Sequence, residues 1–433
     1  MTLRLAWVGP WNGNSAIATF GHYVITELAA RGHSVTIFRS EAGSATGLQP
    51  LPISCPVVSM PAPEHFPRDF DGVIINIGNH YDFHGAAIPL LQALPCLGIL
   101  HDGFLSHLAA GWADAAAAET EATLRACVAT TYGPGTWHAN EPYWMPLDAM
   151  ARTRPMTEWM AQFCAGVVTH SESWAPRMRL ACPGAVTVLP LAFPGKATPL
   201  QPIRDRLIVA TIGHANANKC PDAVLQAIAS DDVLRRRCEY RLLGPITPAE
   251  RDRLAGIAQD LGLEPPLCTG WLEGAALRAA VAEVHVIACL RNPILEAGSA
   301  SLITALRAGR PTLVSWHGVY AEVPEDIVLG CAPGREAVDV ARHLRALLDD
   351  SGAALSIGEQ ARTYAENTFS AARYVDGLLP AVAAAVSATP AIQAARSFGR
   401  ILGGLGVGRD DPAVGRIAAI LNETLGTRPA AQA

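Results

Sequence analysis

The chain has 433 residues, of which 50% are hydrophobic and 17% are charged, and its formal net charge is -6. This composition excludes a disordered protein, and the length exceeds one ordinary core, so two domains of roughly 200 residues each are expected. The acidic balance argues against a general nucleic-acid binder, although a few cations or a helix N-terminus would still bind a small anion.

The sequence predicts neither a targeting segment nor a metal site. The ten cysteines are scattered singly without a C-x-x-C pair, and His80 and His84 have i, i+4 spacing without the rest of a metal pattern. Residues 1–13 lack the long apolar segment of a signal peptide. The most membrane-like run, residues 378–386, contains Pro380 and is shorter than the roughly 18 residues of a spanning helix. We therefore expect a cytoplasmic protein with reduced thiols, in which this run is a core or interface helix.

The first 40 residues predict a strand, a loop, a helix and a second strand. Residues 3–9 (LRLAWVG) form a continuous apolar run, as expected for a strand that is covered on both faces. Apolar residues then recur at helical spacing over residues 17–28, and Gly32 ends that helix before the strand at residues 34–38. This order begins a doubly wound parallel sheet. Further strands are predicted at residues 72–77, 96–100 and 166–169.

A second alternating half follows a proline-rich linker at residues 190–202. It opens with a strand and a loop at residues 206–214, and a helix follows at residues 222–229 with Pro221 at its start. Helical patterns separate the later strands. Those strands are predicted at residues 240–243, 267–270, 284–290 and 312–315.

The chain is therefore predicted to be an α/β protein with two Rossmann-like, doubly wound parallel-sheet domains in tandem. The domains are placed at residues 1–198 and 199–380, and residues 381–433 are predicted to be a helical extension. Within that extension, residues 400–408 are expected to form a loop and residues 412–425 a helix. Two such domains facing each other across a cleft would make a natural site for a nucleotide-containing ligand.

One helix start in the second half has the pattern of an anion site. The stretch LEAGSASLITALRAGRP, residues 295–311, follows the strand at residues 284–290 and begins a helix near Ser299 or Ser301. Small residues there would let a ligand approach free backbone N–H groups, and the helix dipole favours an anion. Glu296 would stand beside this site and accept hydrogen bonds from hydroxyls. The plainer interpretation is a serine-capped helix with an exposed glutamate.

The loop GHANANK, residues 213–219, carries two more donors. Lys219 is a point-charge phosphate ligand, and His214 could add a second hydrogen bond. The loop lacks the P-loop pattern, so the alternative is a solvated lysine.

Two strands of the first half end in a histidine. His101 and Asp102 follow the strand at residues 96–100, at the edge where open α/β sheets place ligands. His101 could therefore bind a substrate hydroxyl or transfer a proton. His170 ends the strand at residues 166–169 in the same way. A satisfied structural histidine is the alternative for both.

The loop after the first strand, GPWNGNSA, places Gly13 and Asn14 just before a helix. It is not a G-x-G-x-x-G fingerprint, so the sequence gives little support to a dinucleotide site. A glycine-bearing turn that closes over a ligand fits the residues better.

These motifs together resemble family 4 glycosyltransferases of the GT-B fold, retaining enzymes that are often found in bacterial polysaccharide synthesis. The similarity spans about residues 3–380. The stretches that carry it, in order, are GPWNGNSAIATFGHYVITELAARGHSVTIF, VVTHSES, TIGHANANKCPDAVLQAIA, LRNPILEAGSASLITALRAGRPTLVS and HGVYAEVP. The resemblance implies a GDP- or UDP-linked sugar bound mostly by the C-terminal domain, with no metal or other cofactor required.

The resemblance also assigns roles to individual residues. His101 matches the histidine near the transferring sugar, and Glu296 matches the first glutamate of an E-x7-E motif that contacts this sugar. The diphosphate would be held by Lys219 and by His214, which stands where the family has an arginine. Thr304 stands where the second, ribose-binding glutamate is usual. Further donor-site positions are Gly13, Gly298, Ser299, Ala300, Ser301 and Leu302, and the acceptor-side or secondary candidates are Asn14, Asp102 and His170.

The implied activity is retaining transfer of a sugar to a hydroxyl of a saccharide or lipid-linked acceptor, in bacterial surface polysaccharide synthesis. The alternatives are a sugar-nucleotide epimerase or phosphorylase on the same fold, and a non-catalytic sugar-nucleotide-binding partner. The departures at His214 and Thr304 motivate the last of these.

A cytoplasmic location is expected, with peripheral contact to the inner face of the membrane as a further expectation. The candidates for a basic, membrane-facing patch are Arg152, Arg154, Arg177 and Arg179, with a solvated surface as the alternative.

Overall fold

In the computed structural model the chain forms two compact units. The structure describes residues 2–41, 51–116, 119–138, 141–272, 274–408 and 411–425. The first unit comprises Met1–Pro190 and Tyr374–Ala433, and the second comprises Leu191–Arg373. The domain boundaries inferred from the sequence stay a prediction.

The first unit is built on a seven-stranded parallel sheet. Its strand order is β3-β2-β1-β4-β5-β6-β7, so the winding direction reverses between β1 and β4. The central strand β1 has every residue after Arg4 buried, because helices cover both faces of a parallel sheet. The strands are β1 (Arg4–Gly9), β2 (Ser34–Arg39), β3 (Val57–Ser59), β4 (Gly72–Ile77), β5 (Leu97–Leu100), β6 (Gly166–Thr169) and β7 (Ala185–Val188).

Helices cover this sheet, and one of them comes from the far end of the chain. The helix predicted at residues 17–28 is confirmed as α1, which buries Phe20, Val24 and Leu28 on the core side. The sequence pattern gave no prediction for residues 110–160, and four helices, α4 to α7, lie between residues 106 and 161. The helices are α1 (Ala16–Ala30), α2 (Tyr81–His84), α3 (Ala87–Ala93), α4 (Ser106–Ala116), α5 (Thr120–Tyr132), α6 (Leu147–Thr153), α7 (Thr157–Ala161) and α8 (Ala175–Ala181).

The second unit contains a six-stranded parallel sheet of order β10-β9-β8-β11-β12-β13, with its reversal between β8 and β11. Its strands are β8 (Leu207–Ile212), β9 (Cys238–Leu243), β10 (Leu267–Cys268), β11 (Val286–Cys289), β12 (Thr312–Ser315) and β13 (Leu329–Cys331). Its helices are α9 (Pro221–Ala229), α10 (Asp232–Arg237), α11 (Pro248–Asp260), α12 (Gly274–Glu283), α13 (Ala300–Arg307), α14 (Glu336–Asp349) and α15 (Ser351–Thr368). Every strand predicted from the sequence is present in one of the two sheets.

The last two helices are α16 (Ala371–Gly404) and α17 (Pro412–Leu425), and α17 confirms the helix predicted there. The loop predicted at residues 400–408 is wrong in its first half, because α16 continues to Gly404 and the Leu402 carbonyl then accepts the Val407 N–H. Apolar, alanine-rich residues are good helix formers, and they carry the helix past Pro380 and Pro390.

The middle of α16 is a core element, as predicted for residues 378–386. Leu378, Val382 and Ala385 are buried, and a Cβ on Gly72 of β4 would lie 2.5 Å from Val382 Cγ1. By length and composition alone, the helical stretch Gly352–Gly404 could cross a membrane. A core helix of a soluble protein passes the same test, so this resemblance to a membrane span is weak evidence.

Candidate functional site

The helix start predicted in the second unit forms at the reversal point of its sheet. The N-cap of α13 is Ser299, whose side chain accepts the Leu302 N–H, and the Ser299 carbonyl accepts the Ile303 N–H. The first-turn N–H groups of Ala300 and Ser301 have no place in the helical hydrogen-bond pattern and are available to an anion. In open α/β sheets, ligands bind where the strand order reverses, which is where this helix begins.

The side chain of Glu296 is only 16% exposed, so the interpretation of an exposed glutamate beside a capped helix is wrong. Its Oε1 lies 2.8 Å from Arg291 Nε and 2.6 Å from the Tyr320 hydroxyl, which donates to it. Burial opposes the charge of the carboxylate, but Arg291 and the Tyr320 hydrogen bond outweigh it and hold the pKa of Glu296 below its usual value. The carboxylate is therefore ionised and fixed in one orientation.

Arg291 and Tyr320 are site residues that the sequence did not single out. Arg291 follows β11 directly, is almost fully buried, and also donates to the Leu290 carbonyl and to Ser301 Oγ. Tyr320 lies in a short 3-10 turn after β12 and contacts Ser299 Oγ at 3.1 Å. The one signal in the sequence was the position of Arg291 immediately after a strand predicted to be buried. Together these groups tie the start of α13 to the ends of β11 and β12.

Lys219 is buried, which overturns the alternative of a solvated lysine. It ends a short turn, Ala217–Lys219, after β8, and its Nζ donates to the Ile212 carbonyl. Burial is the main cause that lowers the pKa of Lys219 to about 7, and the nearby charge of Arg291 lowers it further. Gly213 has a φ of 89° and lies next to the ammonium group of Lys219. A Cβ at this position would be only 2.6 Å from Nζ, so a larger residue would crowd the ammonium group.

The two loops that carry the cations are tied together. The Asn292 N–H donates to the Asn218 carbonyl at 2.9 Å, and the Asn218 side chain donates to the Pro293 carbonyl. The loop after β8 and the loop after β11 therefore hold Lys219 and Arg291 in a fixed relation. Arg291 is already paired with Glu296, so Lys219 is the cation of this site that a bound anion would stabilise.

The two positions that depart from the family pattern have different surroundings. His214 is exposed on the loop before Lys219. Thr304, on α13, donates its hydroxyl hydrogen to the Ala300 carbonyl at 2.8 Å, which leaves the oxygen free to accept a hydrogen bond. Gly298 is half-buried just before the Ser299 cap.

In the first unit, His101 and His170 come together as neighbours at the carboxyl ends of β5 and β6. His101 Nδ1 lies 3.1 Å from His170 Nε2, and His101 Nε2 lies 3.0 Å from Asn76 Oδ1. Both rings are buried, and Phe20 packs edge-on against them. Burial lowers the pKa of His170 to about 4 and the pKa of His101 well below its usual value, so both are neutral at pH 7.

The other candidates of the first unit lie on adjacent loops. Asp102 Oδ2 accepts the Asn79 N–H at 2.9 Å. Gly13 and Asn14 are the central residues of a turn that closes when the Ser15 N–H donates to the Asn12 carbonyl. His84 is a core residue that donates to the Asn76 carbonyl, and among the described residues no group of three or more His, Cys, Asp or Glu could hold a metal ion.

The four arginines proposed as a basic patch do not form one. Arg154 is 1% exposed and lies over the rings of Trp137 and Tyr143 at 5.3 and 5.6 Å. The other three are ion-paired, so the positive charge of this region is largely compensated. These pairs are Arg152–Asp148, Arg177–Glu158 and Arg179–Glu172.

Comparison with known proteins defines the fold. No family profile matches the chain, and no curated protein matches it in sequence. Among solved structures, sucrose-phosphate synthase from Thermosynechococcus elongatus is 16% identical with a TM-score of 0.59, covering 87% of this chain and 98% of its own. Anabaena HepE, solved with UDP and glucose, is 12% identical with a TM-score of 0.57 and covers 87% and 99%.

A third similar structure is WaaG, a glycosyltransferase involved in lipopolysaccharide biosynthesis. It is 15% identical with a TM-score of 0.53, over 87% of this chain and 99% of WaaG. The two parallel sheets of seven and six strands have the GT-B fold that these structures share, as the sequence predicted.

Proposed function

We propose that the chain is a glycosyltransferase that moves a sugar from a nucleotide-diphosphate sugar to a hydroxyl of a saccharide or lipid-linked acceptor. One observation carries the proposal: Lys219, Arg291 and the start of α13 meet at the reversal point of the second sheet. A lysine ammonium group and a helix N-terminus are groups that bind a diphosphate, and Arg291 holds the carboxylate of Glu296 beside them. HepE, which shares the fold, was solved with UDP-glucose, and this supports a UDP-linked donor.

The donor would be divided among the groups of this site. The diphosphate would accept hydrogen bonds from Lys219 Nζ and from the N–H groups of Ala300 and Ser301. Glu296 Oε1 is already engaged by Arg291 and Tyr320, so Oε2, which accepts a longer, 3.3 Å hydrogen bond from the Leu295 N–H, is the oxygen proposed to bind a sugar hydroxyl.

The ribose and the second phosphate contact are assigned to the two residues that depart from the family pattern. The Thr304 hydroxyl oxygen can accept a hydrogen bond from one ribose hydroxyl, because its own hydrogen is donated to the Ala300 carbonyl. A neutral oxygen binds a hydroxyl with less charge assistance than a glutamate would. His214 is proposed as the second donor to the diphosphate, in the place of the usual arginine.

The proposed reaction retains the configuration at the anomeric carbon, as the family 4 resemblance implies. The bond between this carbon and the diphosphate oxygen breaks, and the acceptor oxygen bonds to the same face of the sugar. The acceptor proton passes to the departing diphosphate. Protonated Lys219 and the helix start would stabilise the negative charge that develops on the leaving group, and such contacts often supply the largest share of rate enhancement.

Thermal denaturation with UDP, GDP, ADP and their hexose conjugates tests the proposal. A ligand at 100 times its Kd stabilises by about 2.7 kcal/mol, so the nucleotides of one base should raise Tm by roughly 5–10 °C. Lys219→Met should abolish this shift. The matched control is Lys196→Met, since Lys196 is the only other lysine of the chain and is exposed. No shift with any nucleotide would contradict the proposal.

The same preparation separates the alternative activities. An epimerase would interconvert the free sugar nucleotide without an acceptor, and a phosphorylase would require inorganic phosphate. A non-catalytic partner would bind the nucleotide without releasing nucleoside diphosphate, with or without Glu296→Ala and His101→Ala. We place the reaction in the bacterial cytoplasm, in surface polysaccharide synthesis.

A further inference from the structure

A closed ring of side-chain hydrogen bonds includes the carboxylate of Glu296 in the second unit. Arg291 Nε lies 2.8 Å from Glu296 Oε1, and the Tyr320 hydroxyl reaches the same oxygen at 2.6 Å. The Tyr320 oxygen also lies 3.1 Å from Ser299 Oγ, which lies 3.2 Å from Ser301 Oγ. Arg291 Nη2 closes the ring by donating to Ser301 Oγ at 3.3 Å. The ring therefore joins the loop after β11, the start of α13 and the turn after β12.

Only one arrangement of the hydroxyl hydrogens gives every contact in this ring a hydrogen. An ionised carboxylate can only accept, so the single hydrogen of the Tyr320 hydroxyl goes to Glu296. The Tyr320 oxygen must then accept the hydrogen of Ser299. Ser299 Oγ in turn accepts the hydrogen of Ser301, whose own oxygen accepts from Arg291. The ring thus starts at Arg291, and both of its arms end on Glu296 Oε1.

The direction of the ring decides what the start of α13 offers to an anion. The hydroxyl hydrogens of Ser299 and Ser301 are both used inside the ring, on Tyr320 and on Ser299. The groups available to a diphosphate are therefore the backbone N–H groups of the first turn and not the serine hydroxyls. The two serines instead connect the helix start to the carboxylate of Glu296.

Tyr320 is held firmly at its place in the ring. Its side chain is 0% exposed, and it lies in a turn that contains Gly318 with a φ of 53°. A Cβ on Gly318 would lie 3.1 Å from Ile294 Cδ1, so this turn packs closely on the loop after β11. At the end of β12, Ser315 Oγ accepts the Arg291 N–H at 2.9 Å and joins the same two segments. The hydroxyl of Tyr320 is therefore fixed relative to Arg291.

Two donors on one oxygen fix the orientation of the Glu296 carboxylate. The terminal torsion of a glutamate side chain has a broad energy minimum, so one donor at Oε1 would let the carboxylate plane turn. Arg291 and Tyr320 belong to different segments and both donate to Oε1, which prevents this rotation. The position of Oε2, the oxygen proposed to bind a sugar hydroxyl, is thereby set as well.

We infer that Tyr320 is a positioning residue for the donor sugar, whose hydroxyl holds the Glu296 carboxylate in the orientation in which Oε2 binds a sugar hydroxyl. The direction of the hydrogen bonds follows from the contacts alone, whereas the sugar as the ligand of Oε2 rests on the proposed function. Because Tyr320 is fully buried, it acts through Glu296 and not by contact with the donor.

Isothermal titration calorimetry with UDP and UDP-glucose, or with the GDP pair if thermal denaturation selects that base, tests this role. Tyr320→Phe keeps the aromatic ring and removes the hydroxyl. It should leave the Kd for the nucleotide unchanged and weaken binding of the sugar nucleotide roughly tenfold, since hydrogen bonds to charged groups are strong. The matched control is Tyr240→Phe, because Tyr240 is a buried tyrosine of the same unit whose hydroxyl lies 2.8 Å from Thr211 Oγ1. This control should change neither Kd.

A double variant separates positioning from a merely structural role. In the Glu296→Ala background, Tyr320→Phe should weaken the sugar nucleotide no further, because Tyr320 acts through this carboxylate. Additive losses, equal weakening of nucleotide and sugar nucleotide, or an unchanged Kd for both would each overturn the inference.

The hydrogen-bond ring has its own test in the unliganded chain. The wild-type protein should show a slowly exchanging Tyr320 hydroxyl proton by ¹H NMR, identified by its loss in Tyr320→Phe. A Tyr320 hydroxyl that exchanges rapidly with water would overturn the ring and the inference together. If the wild-type chain shows the protected proton but binds no sugar nucleotide, the proposed function fails, and the role of Tyr320 toward a sugar fails with it.

Discussion

Replacing Arg291 with methionine is expected to destabilise the second unit by about 3–5 kcal/mol, the usual cost of removing one partner of a buried ion pair. The side chains of Arg291 and Glu296 are only 8% and 16% exposed, and the loss would leave a carboxylate facing Tyr320 without its counter-ion. At 2–4 °C per kcal/mol for a unit of this size, Tm should fall by roughly 10 °C. Differential scanning calorimetry of the variant and of the wild-type chain is the suitable measurement.

A double variant and a surface control make this result specific. In Arg291→Met with Glu296→Gln both charges are gone and Tyr320 still has an oxygen to donate to, so most of the lost stability should return. Arg206→Met removes a mostly exposed ion pair of the same unit, with Glu264, and should cost less than about 1 kcal/mol. A cost near that of the surface control for Arg291→Met would show that the buried pair is not formed.

Replacing Lys219 with methionine is expected to lower kcat/KM for donor turnover by roughly 10²-fold and to weaken nucleotide binding. The change removes the point charge beside the start of α13 while it keeps an unbranched apolar side chain in the same buried space. Lys196→Met should leave both quantities unchanged. An unaltered Kd for UDP in Lys219→Met would contradict the assignment of Lys219 to the diphosphate.

Although Lys219→Met should weaken nucleotide binding, it should raise the stability of the unliganded chain near pH 7. The pKa of Lys219 is about 7 in the folded chain and 10.5 for an ordinary lysine, so between these values the unfolded chain binds the extra proton. The contribution of Lys219 to stability therefore rises with pH from about 7 to 10.5 and is least favourable at lower pH. Lys219→Met should remove this dependence and stabilise the unliganded chain near pH 7, because a functional site that keeps a buried cation is less stable than it could be.

Much of the fold was readable because it depends on local patterns. Continuous apolar runs predicted the central strands, and the spacing over residues 17–28 predicted α1. The short strands β3, β7 and β13 were not predicted. Each has three or four residues and lies at an edge of its sheet, and β3 is exposed at every residue, so pairing with a neighbouring strand decides their existence.

The site divides in the same way between local and distant determinants. Ser299 and Lys219 were predicted, because a helix cap and a loop cation are features of a few consecutive residues. The ion pair of Glu296 with Arg291 and its bond from Tyr320 depend on how the ends of β11 and β12 are juxtaposed. A pattern along the chain shows neither the burial of a charge nor its partner.

The central claim is that the diphosphate of a sugar nucleotide lies against Lys219, and lysine NMR tests it most directly. Lys196 and Lys219 are the only lysines, so ¹³Cε-labelled lysine gives two signals, with exposed Lys196 as the internal reference. Without ligand, one signal should titrate with a pKa of about 7. Saturating UDP-glucose, or the GDP-hexose if thermal denaturation selects that base, should raise the pKa of Lys219, because two phosphates stabilise the charged form. A Lys219 titration that stays the same with nucleotide bound would contradict this account of the donor site.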